Sequence, residues 1–318
     1  MTSLLLLALL SQQVRDPAGD RTPTPTASTT TPGPSGPFTV TADTLALWHF
    51  DESGVNPINV CEGAFDTAVS GSCDLWPGNV PTVDNGIWGN ARTYAGLVGG
   101  VGQWSAQVAP VPVAELAALL GEWTVSGWVR VNGSPSGYLF SFLAKHDTTS
   151  ATNHLFWTDI EPCGGGAKIE AGWDYGNNQS VATALSACVL TTGSWGHVAV
   201  RKKLNGSNYD VDVFVDGVVV TSSLNQPNAT GGEDGYFFAA GYPANLPNGS
   251  FFTPVTLDDW RVLGRAQTDA EILQDAQRRA PVSVVSVGRS AVSPARATVA
   301  SNPNTDLGTR CTVASGCP

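Results

Sequence analysis

Apolar and polar residues alternate along a central stretch of the chain, residues 194–223. Successive side chains of a strand point to opposite faces, so this period of two predicts strands over His197–Lys202 and Tyr209–Val215. In each strand the valines share one side, which predicts one covered face and one mostly solvent-exposed face. Asp216-Gly217 tolerates positive φ and predicts a tight hairpin turn into Val218–Val220. The stretch therefore indicates an antiparallel sheet.

Shorter runs with similar alternation predict further strands. They cover Thr44–Phe50, Tyr138–Lys145, Leu155–Glu161, Lys168–Trp173, Tyr236–Ala240 and Thr256–Leu263. Between them, residues 52–87 are interpreted as a long irregular insertion, and Val113–Leu120 as a short helix or a loop. Thr268 and Glu271 have the spacing of a capping box, which predicts a helix of about ten residues that stops before Pro281.

Four segments, taken together, resemble a known family. They are residues 88–96 (WGNARTYAG), 123–129 (WTVSGWV), 194–220, and 257–262 (LDDWRV) with the helix after it. Their order is similar to that in laminin G-like and pentraxin-like domains of the concanavalin A-like lectin and glucanase superfamily. Departures from the family pattern are Ala95 for Asp, Trp260 for a smaller aliphatic residue, and Gln267 for Leu.

The resemblance extends over about Thr44–Gln277 and implies an all-β fold. The expected architecture is an antiparallel two-sheet jelly-roll sandwich with one short C-terminal helix and extended tails. This fold occurs in lectins, glycosidases and structural modules, so the resemblance indicates the fold more strongly than the function.

The two ends of the chain differ from this domain in composition. Leu4–Leu10 is apolar but far too short to span a bilayer, so we interpret it as a docking helix, with an atypical secretion signal as the alternative. The Pro- and Thr-rich part that follows is typical of an extended spacer or an O-glycosylated stalk. We therefore divide the chain into a docking segment (1–15), a linker (16–37), a jelly-roll domain (38–280) and an extended tail (281–318).

The charge of the chain excludes two classes of partner. Its 16 Lys and Arg residues stand against 27 Asp and Glu residues, a formal net charge of −11. Nucleic-acid backbones and anionic membrane surfaces are bound through clustered basic residues, so neither is an expected partner.

Six cysteines fall in three sequence-adjacent pairs. Sequential pairing closes short loops, so we expect disulfides Cys61–Cys73, Cys163–Cys188 and Cys311–Cys317 among the fifteen possible connectivities. Disulfides would place the protein in an oxidising environment, extracellular or on a virion surface. Six reduced thiols in a cytoplasmic protein is the alternative.

The carboxylates do not form the pattern of a glycosidase. The strand Leu155–Glu161 places Trp157, Asp159 and Glu161 on one face, which superficially resembles the cleft of laminarinase-type enzymes of the superfamily. Those enzymes carry E-x-D-x-E or E-x-D-x-x-E, since one carboxylate attacks the anomeric carbon and another protonates the leaving oxygen. None of the eight Glu residues belongs to such a run, and Asp210-x-Asp212 continues into Phe214. We predict that the protein is not an enzyme.

A sugar-binding site needs aromatic rings to stack on pyranose faces and polar groups to bind hydroxyls. Neighbouring strands and their loop offer that mixture in Trp157, Asp159, Glu161, Trp173, Asp174, Tyr175 and Asn177. The alternative is that Trp157 and Trp173 only fill the core.

A structural Ca²⁺ ion is a separate expectation. The resemblance implies a site where the loop after the first strand meets the last strand, with hard oxygen ligands. The matching residues are Asp51 and Asp258, with Glu52 or Asp259 as lesser candidates. In the alternative, these acids cap strand ends or pair with arginines.

These observations predict a non-catalytic, lectin-like jelly-roll module displayed on a larger assembly such as a phage virion. Its expected partners are host or cell-surface glycans, together with protein subunits contacted through residues 1–15. The alternatives are a structural decoration protein without glycan binding and a secreted bacterial carbohydrate-binding or adhesion protein. We expect an oligomer or an assembly component.

Overall fold

The computed structural model describes the central domain of the chain with several gaps. The described residues are 35–53, 60–68, 73–77, 81–98, 101–103, 105–107, 111, 113–144, 153–175, 180–229, 235–241 and 253–278. The expected docking segment, nearly all of the linker and the tail 281–318 lie outside these residues, as do Asn177, Cys311 and Cys317.

Two antiparallel sheets pack face to face as a jelly-roll sandwich, which confirms the predicted fold. The first sheet has the order β16 (Val218–Gln226), β15 (Asn208–Val215), β14 (Trp195–Asn205), β9 (Trp123–Val131), β18 (Pro254–Leu263), β1 (Thr44–Trp48) and β2 (Cys61–Glu62). It also carries β5 (Asn90–Ala95) on β18 and β4 (Thr82–Asn85) on β5.

The second sheet has the order β13 (Ser180–Thr191), β12 (Gly166–Tyr175), β11 (Asn153–Cys163), β10 (Gly137–Ala144), β17 (Gly235–Ala239), β8 (Ser105–Gln107) and β3 (Leu75–Pro77). A separate ribbon pairs β6 (Leu97–Val98) with β7 (Val101–Gly102). The helices in the described residues are α1 (Ala64–Ala68), α2 (Val113–Leu120) and α3 (Asp269–Ala276).

Aromatic side chains seal the space between the two sheets. Trp48 of the first sheet packs against Phe140 and Phe237 of the second, with ring centroids 5.1 and 4.9 Å apart. Trp260 stacks on Phe140 at 5.0 Å. A Cβ at Gly127 would lie 2.4 Å from the Trp260 ring, so a glycine is needed at this close approach. The buried aromatic area is the main apolar contribution to the stability of the sandwich.

The hairpin predicted around residue 216 is confirmed. Val198 pairs with Val215 and Val200 with Val213, and both β14 valines enter the core. Asp216 and Gly217 both adopt positive φ, 49° and 81°, as the turn requires.

The prediction of a mostly solvent-exposed outer face on this hairpin is wrong. His197, Ala199 and Arg201 point away from the core but are buried, because α3 lies across this face. Ile272 of α3 packs on Ala199 and Phe214. We call this outer side of the first sheet the α3 face.

Ion pairs made by two buried arginines hold α3 to the sheet. Arg201 donates to Asp212 at 2.7 Å and to Asp269 at the start of α3, also at 2.7 Å. Arg261 pairs with Asp275 near the end of the helix. Each guanidinium therefore has a carboxylate partner, which a buried charge requires.

The predicted capping box is present at the start of α3. The Thr268 hydroxyl accepts a hydrogen bond from the Glu271 backbone N–H, and the Glu271 carboxylate accepts one from the Thr268 N–H. These bonds satisfy N–H groups that have no partner within the helix.

Phe38, where the predicted linker meets the domain, is an anchor on the α3 face. Its side chain is 1% exposed and lies under the guanidinium of Arg261, with Arg278 and His197 beside it. Its backbone N–H donates to Asp259 Oδ2 at 3.1 Å. The chain therefore enters the domain on this side.

Other parts of the chain show both agreement and difference. Val113–Leu120 forms α2, one of its two predicted states. The region 52–87, predicted as irregular, contains β2, α1, β3, β4 and the disulfide Cys61–Cys73. The edge strand β13 was not predicted, since its Ala- and Ser-rich sequence lacks a clear alternation.

Two of the three expected disulfides are confirmed, Cys61–Cys73 and Cys163–Cys188. The third expected pair lies outside the described residues. Disulfides persist in oxidising compartments, in agreement with the extracellular part of the expected location. None of the helices in the described residues is long and apolar enough to cross a bilayer.

Candidate functional site

The outer side of the second sheet, opposite the α3 face, carries a cluster of carboxylates. Asp159 of β11 lies between Tyr138 of β10 and Glu170 of β12 in the pairing register. Directly paired residues project to the same side of a sheet, so these three side chains are neighbours. We call the surface formed by the following residues the acidic face: Tyr138, Trp157, Asp159, Glu161, Lys168 and Glu170.

Asp159 is the most perturbed group of this face. Burial raises the pKa of its carboxyl to about 7, and the negative charges of Glu170 and Glu161 act in the same direction. Its Oδ1 accepts the N–H of Ile160 at 2.7 Å, which stabilises the ionised form only in part. The carboxyl therefore exchanges its proton near neutral pH.

The neighbouring acids form no ion pair among the residues that the structure describes. Burial raises the pKa of Glu170, and the charge of Glu161 adds to the shift. Lys168 is paired with Glu161 in the register. Even so, within the described residues no basic side chain comes within 4 Å of the three carboxylates. The acidic face thus holds uncompensated negative charge.

The two tryptophans expected to stack on sugars occupy different environments. Trp157 lies on the acidic face but is only 8% exposed. Trp173 is fully buried in the core, 6.0 Å from the Trp123 ring, and its Nε1 donates to the Pro227 carbonyl at 2.8 Å. Its place in the core is the alternative that the sequence left open, and its ring presents no face to a ligand.

Asp174 and Tyr175 also take structural positions. Asp174 is buried, and its Oδ2 accepts the backbone N–H of His154 at 2.8 Å and lies 2.9 Å from the same residue's Nδ1. Tyr175 is half-buried against the core. Asn177 lies outside the described residues.

Tyr138 is the aromatic residue of the acidic face that the sequence did not single out. Its ring stacks on His154 with centroids 5.4 Å apart. Burial, with the charges of Asp159, Asp174 and Glu170, raises the pKa of its hydroxyl to about 12. The phenol therefore stays protonated and is a hydrogen-bond donor at neutral pH.

A second group of acids lies where β1 ends beside β18. Asp258 is buried, and its Oδ2 accepts the backbone N–H groups of Ile87 and Trp88 at 2.6 and 3.1 Å. Its Oδ1 is buried with no hydrogen-bond partner in the described part of the chain. The pKa of Asp258 is raised to about 8. Burial is the largest cause, and repulsion from Asp259 and Asp51 acts in the same direction. We call this group the acidic junction.

The remaining acids of the junction are largely engaged. Asp51 Oδ1 accepts the Asn90 N–H at 2.7 Å, and Asp259 lies 2.5 Å from His49 Nδ1. Among the described residues, no three His, Cys, Asp or Glu side chains are grouped around a point suitable for a metal ion. A cation here would need backbone carbonyls beside Asp51 and the unpaired Asp258 Oδ1, which Ca²⁺ accepts.

Comparison with solved structures found chains that are similar to this one at low sequence identity. Domain 4 of AbnA, an extracellular GH43 arabinanase from Geobacillus stearothermophilus solved with arabinotriose, has a TM-score of 0.46 and 19% identity; 74% of this chain and 98% of that chain are covered. The heptameric SAP-like pentraxin of Limulus polyphemus has a TM-score of 0.44 and 16% identity, covering 58% and 80%. Botulinum neurotoxin type C, from a study of its interaction with two ganglioside molecules, has a TM-score of 0.50 and 10% identity, covering 74% and 52%.

Comparison by sequence gives a family. No curated protein matches the chain. Residues 103–273, more than half of the chain, match a family described as the concanavalin A-like lectin/glucanases superfamily. The matched region includes the core strands β9, β14 and β18 and all residues of the acidic face. The chain therefore belongs to the concanavalin A-like lectin and glucanase superfamily.

Proposed function

We propose that the protein is a non-catalytic glycan-binding module whose ligand contacts the acidic face. The observation that carries this proposal is the register that sets Asp159 between Tyr138 and Glu170 on one surface. Carboxylates accept hydrogen bonds from sugar hydroxyls, and the protonated Tyr138 hydroxyl donates one. Membership of a superfamily that includes lectins supports the proposal.

A glycan array probed with the full chain tests this function. We expect binding to at least one glycan class, reduced about tenfold by Glu161→Gln, since hydrogen bonds to charged groups contribute about 1.5 kcal/mol or more. Glu62→Gln on β2 of the first sheet is the matched control, because it removes the same charge from an exposed residue away from the face. An array without hits, obtained with folded protein, would contradict the proposal.

Hydrolysis is the second candidate function, favoured by one observation. The Asp159 carboxyl, with a pKa of about 7 beside Glu161 and Glu170, has the character of a general acid next to ionised carboxylates. The absence of the E-x-D-x-E run from the sequence favours binding alone. Release of reducing ends from a β-glucan panel, abolished by Glu161→Gln, would establish the hydrolase instead.

We also propose that the module acts outside the cell, displayed on an assembly such as a virion through residues 1–15. The two disulfides and the Pro- and Thr-rich linker support an extracellular, displayed domain. Purified particles should then contain the protein, and deletion of residues 1–15 should release it. Recovery only as free protein in the medium would favour the secreted carbohydrate-binding alternative, and particle association without any glycan binding would favour the structural alternative.

For the acidic junction we propose a structural Ca²⁺ ion held by Asp51 and Asp258. The unpaired, buried Asp258 Oδ1 supports this, since a bound cation would compensate its charge. Ca²⁺ should raise the Tm and a chelator should lower it, with both shifts lost in Asp258→Asn and kept in Asp159→Asn. An unchanged Tm in the unsubstituted protein would reject the ion.

A further inference from the structure

The charges around Asp159 set the kind of ligand that the acidic face attracts. From β11 come Asp159 and Glu161, and from β12 come Glu170 and Lys168. From β10 comes the neutral Tyr138. The β13 residue paired with Glu170 is Leu185, which is exposed and uncharged. Beside Tyr138, His154 and Asp174 pair with each other, so three further carboxylates face one ammonium group.

This arrangement is unfavourable without a ligand. Like charges on neighbouring strands repel one another, and partial burial strengthens the repulsion because it weakens solvent screening. No basic side chain of the described residues comes within salt-bridge distance of the three acids. A ligand that brings positive charge would remove the repulsion, whereas an anionic ligand would increase it.

An unsatisfied hydroxyl on the same side of the sheet points to a ligand independently of charge. Ser141 is paired with Trp157 in the register and so projects to the side that carries the acidic face. It is fully buried, and its Oγ has no hydrogen-bond partner in the described part of the chain. Buried hydroxyls normally have partners, so the Ser141 Oγ is a hydrogen-bonding group that the described part of the chain leaves unused.

We propose that the acidic face selects glycans that carry protonated amino groups, such as de-N-acetylated hexosamine units, over neutral and acidic glycans. This inference rests on the proposed glycan-binding function. The ammonium group would lie among Asp159, Glu161 and Glu170, where charge-assisted hydrogen bonds are stronger than neutral ones. Sialylated and uronic-acid glycans would be repelled by the same carboxylates.

Calorimetric titration of the full chain with short oligomers of equal length tests the selection. The probes are oligomers of glucosamine, of N-acetylglucosamine and of glucose, and a sialylated oligosaccharide, at about pH 7, where the amino groups and Asp159 are both partly ionised. We expect the glucosamine oligomer to bind about fivefold or more tightly than the neutral ones, as one well-placed ion pair predicts. Added salt should reduce this difference.

Substitutions of opposite sign separate charge selection from loss of folding. Glu170→Gln should weaken binding of the glucosamine oligomer more than binding of the neutral oligomers, while Lys168→Gln should strengthen binding of the glucosamine oligomer alone. A misfolded variant would bind every ligand more weakly, so a higher affinity of Lys168→Gln for the glucosamine oligomer cannot come from misfolding. Glu62→Gln is the control for net charge.

The outcomes distinguish the two proposals. Equal affinity for amino, neutral and sialylated oligomers, unaffected by Glu170→Gln, would overturn the charge selection and leave the glycan-binding function in place. Binding of no oligomer by the folded protein, with an empty glycan array, would overturn both.

Discussion

At the scale of residues, the molecule holds ionisable groups far from their ordinary proton affinities. Asp159 and Asp258 have pKa values of about 7 and 8 because burial disfavours their charged forms. The pKa of Lys202 is shifted in the opposite direction, because burial disfavours its charged form as well. Its Nζ donates to the Leu120 carbonyl and to Asn228, and lies 4.4 Å from the centre of the Tyr209 ring. Burial lowers its pKa to about 7.

Replacing Asp159 with Asn should change how stability depends on pH. The folded protein holds this proton up to about pH 7, whereas the unfolded chain loses it near pH 4, so stability falls as pH rises between these values. Asn does not titrate but still accepts the Ile160 N–H. In urea denaturation at a series of pH values, Asp159→Asn should gain stability relative to the unsubstituted protein as pH rises through this range. Parallel curves would contradict the raised pKa.

Replacing Lys202 with Met should produce the opposite slope. The folded protein releases this proton near pH 7 and the unfolded chain near pH 10, so the unsubstituted protein loses stability as pH falls through this interval. Met fills a similar volume without a charge. Thermal melts should therefore show Lys202→Met gaining on the unsubstituted protein as pH falls from about 10 to about 7. A constant difference would show that Lys202 does not titrate in this range.

At the scale of elements, the sequence predicted those features that depend on residues close together in the chain. The hairpin of β14–β16 followed from valine alternation and Asp216-Gly217, and α3 followed from Thr268 and Glu271. The covered outer side of β14 was not predictable in the same way. Arg201 is polar in the sequence, and its burial depends on carboxylates from β15 and α3.

Only part of the candidate site could be predicted from the sequence. Trp157, Asp159 and Glu161 share a face because they alternate along one strand, which the sequence alone reveals. Tyr138, Glu170 and Lys168 join them only through the register of neighbouring strands. That register depends on turns and bulges, such as the irregularity between Tyr138 and Phe140, which a single sequence does not specify.

The capping box of α3 should contribute measurably to stability. Thr268→Ala removes the hydroxyl that accepts the Glu271 N–H, which should cost about 1 kcal/mol of unfolding free energy. Thr192→Ala, at an exposed residue, is the matched control and should change stability by less than about 0.5 kcal/mol. Chemical denaturation measures both, and equal effects would show that the cap is not important for the fold.

At the scale of the whole molecule, the sandwich has two outer sides that differ in covering and in charge. The α3 face is covered by α3, which the buried ion pair Arg261–Asp275 holds in place. The chain enters the domain on the same side, through Phe38. The other side carries the acidic face, whose carboxylates form no ion pair within the described part of the chain. The net charge of −11 is thus accompanied by a local concentration of negative charge on the side that lacks the helix.

Removal of the Phe38 side chain should release the entering chain from the domain. Phe38→Ala should destabilise the protein by about 3 kcal/mol, as truncation of a buried Phe does, and should speed proteolytic cleavage near residue 38. Val40→Ala is the control, since Val40 is 47% exposed. Unchanged cleavage would show that Phe38 is not the anchor.

The position of Phe38 has a geometric consequence for any array of these domains. Because Phe38 lies on the side opposite the acidic face, a tether on the N-terminal side of the domain would leave that face accessible. Many copies tethered to one support would then each leave that surface free to bind. Such an array would bind a repetitive polysaccharide with high avidity, even where each single contact is weak.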